Sequence, residues 1–440
     1  MTRHGSREET DPPRIDLGTD GELGDDPGAS DEWTMLVAGD YALAREKPPT
    51  AETTISPAIR GRIRAAAYSI VNVEAPVVGE DGEPVPKSGP TKENPPGAPA
   101  AVAEAGFDAA TLANNHVGDF GPEGVESTVE ALEAEGLETV GVGPDFERAY
   151  EPLEVVRGGG SVAVVNVCER EFNVAGEASA GAAWLAHRRA REAIRDADRA
   201  HESVIAMVHA GVEYAPFPAP ELQDLLREFV DIGADVVIGH HPHVPQGWER
   251  YGGGAICYSL GNFLFDGMAD AENTAWGLVA ELEFRGSEPV GIDLVPIETV
   301  EGVVHPFGEA ERREWSHDRA DRLAYLRRIA EIAAENPRPY WQEVAIRLFY
   351  ERYSNWLHTG CGLNVPRARA NPHDPAAQRP LWDVEARRRE VLTLLTVVRM
   401  ESHRWLMTEA LAVLTGETED LRTPEITEEA QLLLSQAERE

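Results

Sequence analysis

Residues 205–266, IAMVHAGVEYAPFPAPELQDLLREFVDIGADVVIGHHPHVPQGWERYGGGAICYSLGNFLFD, decide the fold of this chain. Two apolar runs of strand length each end in histidine: 204–208 before His209, and 235–238 before the Gly-His-His-Pro-His of residues 239–243. The segment between them, 220–233, begins with proline, has apolar residues at helical spacing and ends in glycine. This pattern predicts two parallel strands joined by a crossover helix. Because sites in open α/β sheets lie beyond the carboxyl ends of the strands, the histidines are placed for function.

Four histidines follow these two strands. His241 and His243 are separated by Pro242, which stiffens the segment and lets both imidazoles turn toward one centre. A single histidine at a strand end is usually structural, whereas four at neighbouring strand ends indicate metal binding. The alternative is a polar loop that happens to be rich in histidine.

The composition predicts a soluble globular protein with an acidic surface. The chain has 440 residues and a formal net charge of −37, from 77 acidic and 40 basic residues. Only Lys47, Lys87 and Lys92 are lysines. Because carboxylates stay hydrated in concentrated salt, where screening removes their mutual repulsion, this surface predicts a halophilic protein. Recruitment of cationic partners is disfavoured because the acids are spread along the chain. Duplex nucleic acid is excluded as a partner.

The cysteines and the apolar segments limit the cellular compartments in which the protein is expected. Cys168, Cys257 and Cys361 form no CxxC pair, so neither a disulfide framework nor a structural zinc site is predicted. No run reaches the length of a membrane span, and residues 1–32, rich in Asp, Glu, Gly and Pro, predict a disordered acidic tail rather than a signal peptide. We therefore expect a cytoplasmic protein without a membrane span.

Polar residues also follow the strands predicted upstream. The run 33–38 leads to Gly39-Asp40, the run 68–71 to Asn72-Val73-Glu74, and the run 107–112 to Asn114-Asn115-His116. Asn72 and Glu74 are two residues apart and point the same way in extended backbone. For Asp40, a turn-forming role is the alternative to metal binding.

The Gly- and Pro-rich segment 79–99 is predicted to be a loop that covers the site. It carries Lys87 and Lys92, which could receive an anionic substrate against the acidic background. Ordinary solvated charges on a surface loop are the alternative.

The rest of the chain predicts a hairpin and a helical extension. Residues 278–284 and 290–297 alternate apolar and polar side chains, which predicts an antiparallel hairpin at the sheet edge. Helices are predicted over 319–334, 339–357, 383–416 and 425–439. The predicted division is a tail of residues 1–32, an α/β domain of residues 33–305 and a helical C-terminal region of residues 310–440.

Six candidate ligands follow five strand-like runs: Asp40, Glu74, Asn115, His209, His241 and His243. Such mixed carboxylate, amide and imidazole ligands suit Mn²⁺, Zn²⁺ or Fe²⁺ better than Mg²⁺ or Ca²⁺. A carboxylate that can bridge two ions favours a two-metal hydrolytic site.

These motifs resemble the CapA-type poly-γ-glutamate capsule biosynthesis family, whose fold is similar to that of calcineurin-like metallophosphoesterases. The matching segments are GD (39–40), NVE (72–74), LANNHVGDFG (112–121), HAGVEY (209–214), GADVVIGHHPH (233–243) and YSLGNF (258–263). The resemblance covers roughly residues 33–300. It implies an α/β fold, a four-layer α-β-β-α metallophosphoesterase-like sandwich with two metal ions, and leaves the C-terminal helical extension uncovered.

The resemblance also implies roles for the site residues. One metal would be held by Asp40 and His243, the other by His209, His241 and Asn115, with Glu74 bridging the two. His116 would act as general acid or donate a hydrogen bond to a phosphoryl oxygen, with Asn115 beside it.

Further residues would support the ligands or the substrate: Asn72, Lys87, Glu213, His240 and Asn262. His240 and Glu213 would orient the ligand imidazoles. The chain departs from metallophosphoesterases at Ala42, where their first motif has histidine, and at 72–74, where Asn-Val-Glu replaces their GDxxD motif. Both departures are shared with the CapA-type family.

Two classes of function stay open. The first is a metal-dependent hydrolase of a phosphate ester or, less favoured, of an amide such as a γ-glutamyl bond. The second is a non-catalytic metal-binding accessory protein in anionic polymer synthesis or export. His116 distinguishes them, because metal binding alone does not require it. In either case the expected partner is an anionic small molecule or polymer.

Overall fold

A computed structural model describes residues 12–18, 32–44, 48–79, 82–267, 272–308, 319–354, 357 and 388–438. The strands in this part of the chain are β1 (Arg14–Asp16), β2 (Glu32–Ala42), β3 (Tyr68–Val73), β4 (Ala109–Thr111), β5 (Glu138–Val140), β6 (Val142–Gly143), β7 (Leu153–Arg157), β8 (Gly160–Cys168), β9 (Gly181–Ala182), β10 (Ser203–His209), β11 (Val236–His240), β12 (Trp248–Tyr251), β13 (Gly254–Cys257), β14 (Asn262–Phe265), β15 (Trp276–Arg285), β16 (Glu288–Val300) and β17 (Val303–Pro306).

The helices surround these strands. They are α1 (Ala51–Thr54), α2 (Pro57–Ala65), α3 (Ala98–Ala105), α4 (Gly121–Ala134), α5 (Arg188–Ala200), α6 (Pro220–Asp231), α7 (Arg319–Glu335), α8 (Arg338–Leu348), α9 (Arg388–Arg399), α10 (Glu401–Thr415) and α11 (Pro424–Glu438). Short 3₁₀ helices span Arg148–Tyr150 and Glu272–Ala275, and a π-helical turn spans Phe349–Ser354.

Two sheets carry the candidate ligands. In the first the order is β1-β16-β15-β2-β3-β4-β5, with β14 paired to β2 and β17 to β16; in the second it is β12-β13-β11-β10-β8-β7. The neighbours β2 to β5 are parallel, as are β8, β10, β11 and β13. The predicted parallel pair β10 and β11 with its crossover helix α6 is therefore confirmed, and both sheets present carboxyl ends of parallel strands.

Side-chain alternation along β2 shows how the layers stack. Met35 and Val37 belong to the core that also contains residues of β8, β10 and β11, whereas Leu36 and Ala38 pack with α2, α3 and α4. Helices α5 and α6 pack against strands of the second sheet. Because successive strand residues point to opposite faces, β2 lies between a sheet and a helical layer. The expected α-β-β-α sandwich is thus confirmed, with C-terminal helices added.

Two glycines let the backbone approach closely near the strand ends. A Cβ atom on Gly39 would lie 2.0 Å from the carbonyl oxygen of Gly261, and one on Gly239 would lie 2.0 Å from that of Tyr258. No other residue fits there without a shift of the backbone. These contacts fix the ends of β2 and β11, on which Asp40 and the histidines depend.

Two predictions about the edge of the first sheet are wrong. Arg14–Asp16, inside the predicted acidic tail, forms a strand that pairs antiparallel with β16. Arg14 also forms ion pairs with Glu283 and Asp293, so this short segment gains enough contacts to be ordered. The hairpin β15–β16 consequently lies inside the sheet, between β1 and β2. Most other residues of the predicted tail lie outside the described residues.

The C-terminal helices differ from the prediction at two points. The predicted helix 383–416 is two helices, α9 and α10, because Met400 is extended (φ −68°, ψ 132°). The predicted helix 339–357 ends as α8 at Leu348 and continues as a π-helical turn.

The division of the chain near residue 305 stays a prediction. Within the described ranges, the helices are too short or too polar to cross a bilayer.

Candidate metal centre

The candidate ligands converge where the two sheets present the carboxyl ends of their strands. Asp40 lies near the end of β2, Glu74 directly after β3, Asn115 after β4, His209 at the end of β10, and His241 and His243 after β11. All six side chains are buried, with at most 4% of any residue exposed. The sequence therefore predicted a set of residues that the fold brings together.

Glu74 lies at the middle of this cluster. Its Oε1 is 3.9 Å from His209 Nε2, 3.7 Å from His243 Nε2 and 4.0 Å from His116 Nε2. Neither carboxylate oxygen accepts a hydrogen bond from any residue that the structure describes. A carboxylate that is fully buried without a partner is costly, so these distances leave room for a cation between the ligands.

Two groups of ligand atoms share Glu74. Asp40, Glu74 and His209 form one group, and Glu74, His241 and His243 form the other, each with its ligand atoms within 4.8 Å of one another. The pairing implied by the family resemblance is different, since it assigns His243 to Asp40. His243 Nδ1 is also 3.7 Å from Asp40 Oδ2, so the assignment of each histidine to an ion stays a prediction.

The histidine loop is held in strained backbone. His241 and His243 have φ angles of 98° and 59°. Residues other than glycine rarely adopt this left-handed backbone region. The backbone N–H of His241 donates to Asp40 Oδ2 at 3.2 Å. Such strain costs about 1–3 kcal/mol for each residue and is found at functional sites. This backbone conformation lowers the stability of the fold but turns both imidazoles into the cluster.

The pKa values of Glu74, His209 and His243 are shifted toward the neutral form of each side chain. Burial, and then repulsion from Asp40, raises the pKa of Glu74 well above its ordinary value. Burial lowers the pKa of both His209 and His243. Their imidazoles are thus neutral near pH 7 and carry a lone pair for a metal.

His241 behaves differently because of Glu169, a residue that the sequence did not single out. Glu169 Oε1 lies 2.9 Å from His241 Nε2. Burial lowers the pKa of His241, but the carboxylates of Glu169, Glu213 and Asp40 together outweigh burial and raise that pKa to about 9. Glu169 follows β8 directly and is fully buried. Its place after a strand was the same signal that marked Asp40, but it lay outside the recognised motifs.

His116 is fixed by a buried charge cluster. Its Nδ1 lies 2.8 Å from Asp119 Oδ2, and Lys87 Nζ donates to Asp119 Oδ1 at 2.5 Å and to Glu171 at 3.3 Å. Burial lowers the pKa of His116 to about 4, although Asp119 opposes this. The Lys87 side chain is only 2% exposed. Lys87 is therefore a buried partner of Asp119 rather than a solvated charge.

The remaining predicted residues lie around the centre in different roles. Asn72 Nδ2 donates to Asp40 Oδ1 at 2.7 Å and lies 3.1 Å from His209 Nδ1. Asn262 Oδ1 lies 2.9 Å from His243 Nδ1. Both amides thus position the ligands. His240 Nε2 instead lies 3.3 Å from the carbonyl oxygen of Ala38, and no hydrogen bond joins His240 to a ligand imidazole in the described part of the chain.

Glu213 lies beside a cavity of about 370 Å³ that opens onto the cluster. Burial raises the pKa of Glu213, but His241 and His243, together with Arg352 and His403, outweigh burial and lower it to about 2. Asn115, His116 and His241 line the same cavity. Within the described residues Glu213 forms no ion pair with a ligand imidazole, so its predicted orienting role stays a prediction.

The fold and the cluster define a class: an α-β-β-α sandwich with a buried carboxylate–imidazole centre suited to a divalent metal. The family described as "Bacterial capsule synthesis protein PGA_cap" matches residues 34–267. The chain belongs to this family, as its motifs predicted.

Two curated relatives illustrate the likeness. The chain is 33% identical over 219 residues to the capsule biosynthesis protein CapA of Bacillus anthracis, covering 48% of this chain and 52% of the relative. It is 31% identical over 164 residues to the PGA biosynthesis protein CapA of Bacillus subtilis, covering 36% of this chain and 43% of the relative. The match thus spans about half the length of these relatives.

Solved structures give a weaker likeness. The precursor of a 5'-nucleotidase from Thermus thermophilus has a TM-score of 0.39 at 15% identity, covering 60% of this chain and 54% of that chain. A phosphatase from Mycoplasma pneumoniae has a TM-score of 0.38 at 12% identity, covering 61% of this chain and 94% of that chain. At these scores we draw no functional conclusion from them.

Proposed function

We propose that this protein is a metal-dependent hydrolase of phosphate esters. The observation that carries the proposal is Glu74, which is buried with both oxygens unpaired within the described residues. It lies within 4.0 Å of three imidazoles. A divalent ion offers the countercharge that such a carboxylate requires. Mixed oxygen and nitrogen ligands favour Mn²⁺, Zn²⁺ or Fe²⁺.

The residues that would hold the metal are Asp40, Glu74, Asn115, His209, His241 and His243. Divalent ions bound there supply positive charge that polarises a phosphoryl oxygen and acidifies water. Asn72, Glu169 and Asn262 position three of these ligands through the contacts described above. A shared Glu74 favours two ions over one.

His116 is the residue proposed to move the proton. Asp119 holds its Nδ1, so that Nε2 faces Glu74 and the centre. In hydrolysis, the oxygen of water forms a bond to phosphorus and the bond from phosphorus to the ester oxygen breaks. The proton lost by water passes through His116 to the departing oxygen, which leaves as an alcohol beside inorganic phosphate.

Metal-dependent turnover tests the proposal. Protein purified in concentrated KCl is assayed for phosphate release from glycerol 3-phosphate, with added Mn²⁺ and after treatment with a chelator. Turnover that requires the metal and is lost in Glu74→Gln supports it. A folded, metal-loaded protein that hydrolyses no phosphate ester contradicts it. That outcome favours the second candidate, a non-catalytic metal-binding accessory protein in anionic polymer synthesis; the two curated relatives are named for capsule and PGA biosynthesis.

A further inference from the structure

One side of the cavity beside the metal centre comes from outside the family match. The family matches residues 34–267, whereas the π-helical turn, α9 and the start of α10 also line the cavity. Helix α10 contributes His403, which is half-buried. The hydrolysis proposed above assigns no role to this part of the lining.

The first turn of α10 is fixed beside the metal centre by its own neighbours. Glu401, which is 2% exposed, accepts a hydrogen bond from the backbone N–H of Arg170 at 3.0 Å. The backbone N–H of Ser402 donates to Glu169 at 3.0 Å. His403 follows directly in the chain. Its place at the cavity is therefore set by buried contacts of the two residues before it, and its side chain is left for another role.

Tyr353 determines which nitrogen of His403 carries the ring hydrogen. The Tyr353 hydroxyl is bonded to His403 Nδ1, and the two rings meet edge to face with their centroids 5.6 Å apart. If the imidazole donated in this bond, the buried hydroxyl hydrogen would have no acceptor among the described residues. The hydroxyl therefore donates to Nδ1. Burial lowers the pKa of His403, so the ring is neutral near pH 7 and its hydrogen lies on Nε2.

His403 Nε2 is a hydrogen-bond donor that is open to the cavity. It bonds to no described residue, yet it is not one of the polar atoms that are enclosed without a partner. It therefore has accessible surface, and the cavity is the space that His403 lines. Both carboxylate oxygens of Glu213, which lines the same cavity, are in the same condition within the described part of the chain. A donor and an acceptor thus border one space.

The charges that line this cavity balance one another. Besides the histidines, two basic and two acidic side chains line it. Lys87 and Glu171 form an ion pair at 3.3 Å, and Arg352 donates to the backbone carbonyl oxygen of Glu213. Such a lining favours neither an anionic nor a cationic organic group. A hydroxyl group suits it better, because one hydroxyl both donates to a carboxylate and accepts from an imidazole N–H.

We propose that this cavity binds a hydroxyl-bearing organic group of the substrate, with His403 Nε2 donating to a hydroxyl oxygen and Glu213 accepting a hydroxyl hydrogen. The inference rests on the proposed phosphoesterase function and names its substrate class, the phosphate esters of polyols. The cavity volume of about 370 Å³ lies within the range of about 300–1,000 Å³ for small-molecule sites. His403 and Glu213 are then substrate-binding residues, and Tyr353 is a positioning residue that keeps the His403 hydrogen on Nε2.

A matched pair of esters tests the proposal. Glycerol 3-phosphate carries hydroxyl groups that propyl phosphate lacks, and both release inorganic phosphate. Wild type loaded with Mn²⁺ should have a kcat/KM about tenfold or more higher for glycerol 3-phosphate. His403→Phe should raise KM for glycerol 3-phosphate about three- to tenfold with kcat retained, and should leave propyl phosphate unchanged. His305→Phe replaces a half-buried histidine of β17 that does not line the cavity, and as the control it should change neither.

A second variant tests the positioning role of Tyr353. Tyr353→Phe leaves the imidazole in place but removes the hydroxyl that donates to Nδ1. The ring hydrogen is then free to move to Nδ1. KM for glycerol 3-phosphate should therefore rise, but by less than in His403→Phe, while KM for propyl phosphate stays that of wild type. Equal changes for the two esters would show a structural effect only and would overturn this role.

Calorimetry with phosphonates, which are not hydrolysed, tests the cavity independently of turnover. 3,4-Dihydroxybutylphosphonate should bind Mn²⁺-loaded wild type about tenfold more tightly than butylphosphonate, and His403→Phe should remove most of this difference. If neither ester is hydrolysed but this difference is present, the hydrolase proposal fails and the polyol site stands. If wild type uses both esters equally, the hydrolase stands and the polyol proposal is overturned. Equal binding of the two phosphonates, or a His403→Phe protein that behaves like His305→Phe, overturns it as well.

Discussion

Glu169 joins His241 to the C-terminal helices. One oxygen of this carboxylate lies 2.9 Å from His241 Nε2, and the other accepts the backbone N–H of Ser402 at 3.0 Å. Ser402 is the second residue of α10, where helix N–H groups lack partners within the helix. A residue of the metal centre is therefore oriented from a part of the chain that the family match does not include.

The first prediction concerns this contact. Glu169→Gln keeps an acceptor for Ser402 but removes the charge beside His241. We expect metal affinity, measured by competition with a chelator, to fall about 10- to 100-fold, because partners of ligating histidines contribute that much. Glu401→Gln is the control: Glu401 bonds Trp184 and the backbone of Arg170, with no bond to His241. Equal affinity of the two variants would show that Glu169 does not orient the ligand.

The second prediction separates proton transfer from metal binding. His116→Gln should reduce kcat for a phosphomonoester about 10²- to 10⁴-fold, and its metal content should equal that of wild type. Asp119→Asn should reduce kcat less, since it leaves the imidazole present but poorly oriented. Elemental analysis and steady-state kinetics on the same samples check this. Loss of metal from His116→Gln would instead make His116 a ligand.

The third prediction concerns pH and stability. Burial raises the pKa of Glu171 to about 7 from 4.5, although Lys87 opposes it. The folded protein thus binds this proton more tightly than the unfolded chain. The stabilisation is complete below pH 4.5 and is lost as pH rises through 7. Its size is on the order of 3 kcal/mol.

Glu171→Gln mimics the protonated acid at every pH. Between pH 5 and 7, wild type should therefore lose stability relative to the variant, as measured by chemical unfolding at constant high salt. Lys87, Asp119 and Glu169 also act on Glu171, so the two profiles are compared at identical ionic strength. Parallel profiles would show that Glu171 has an ordinary pKa.

The fourth prediction tests the close approach at the end of β2. Gly39→Ala should destabilise the fold by about 3 kcal/mol or more, because its Cβ would overlap the carbonyl oxygen of Gly261. Gly61→Ala is the control: Gly61 lies in α2 with open space around it, so alanine should stabilise by about 0.5–1 kcal/mol. Thermal unfolding measures both. Equal midpoints would mean that β2 tolerates a side chain at this position.

The sequence predicted which residues converge, because these residues lie at or shortly after strand ends. A strand end is a local signal, and parallel strands bring their ends to one edge whatever the distance along the chain. Asp40, Glu74 and His209 were therefore identified without knowledge of their contacts. The same rule could have identified Glu169, which follows β8.

The side of the cavity that is built by the π-helical turn, α9 and the start of α10 could not be predicted in this way. Thr396 and His403 lie within helical patterns that look alike whether they face solvent, a core or a cavity. The break at Met400 has neither glycine nor proline beside it, so the helix prediction ran through it. Just after this turn, the backbone N–H of Ser402 on α10 donates to Glu169, a contact that the sequence does not reveal. In the same way, the edge strand β1 depends on pairing with β16, more than 270 residues away.

The metal content per chain tests directly whether the buried cluster of carboxylates and imidazoles binds divalent ions. Wild type, His209→Ala, His241→Ala and the control His201→Ala, a histidine that ends α5 away from the cluster, are purified in concentrated KCl. Mn, Zn and Fe are then quantified per chain. The account predicts at least one ion per chain in wild type and control, and little in either ligand variant. A folded wild type that binds no metal, even after Mn²⁺ is added, would contradict it.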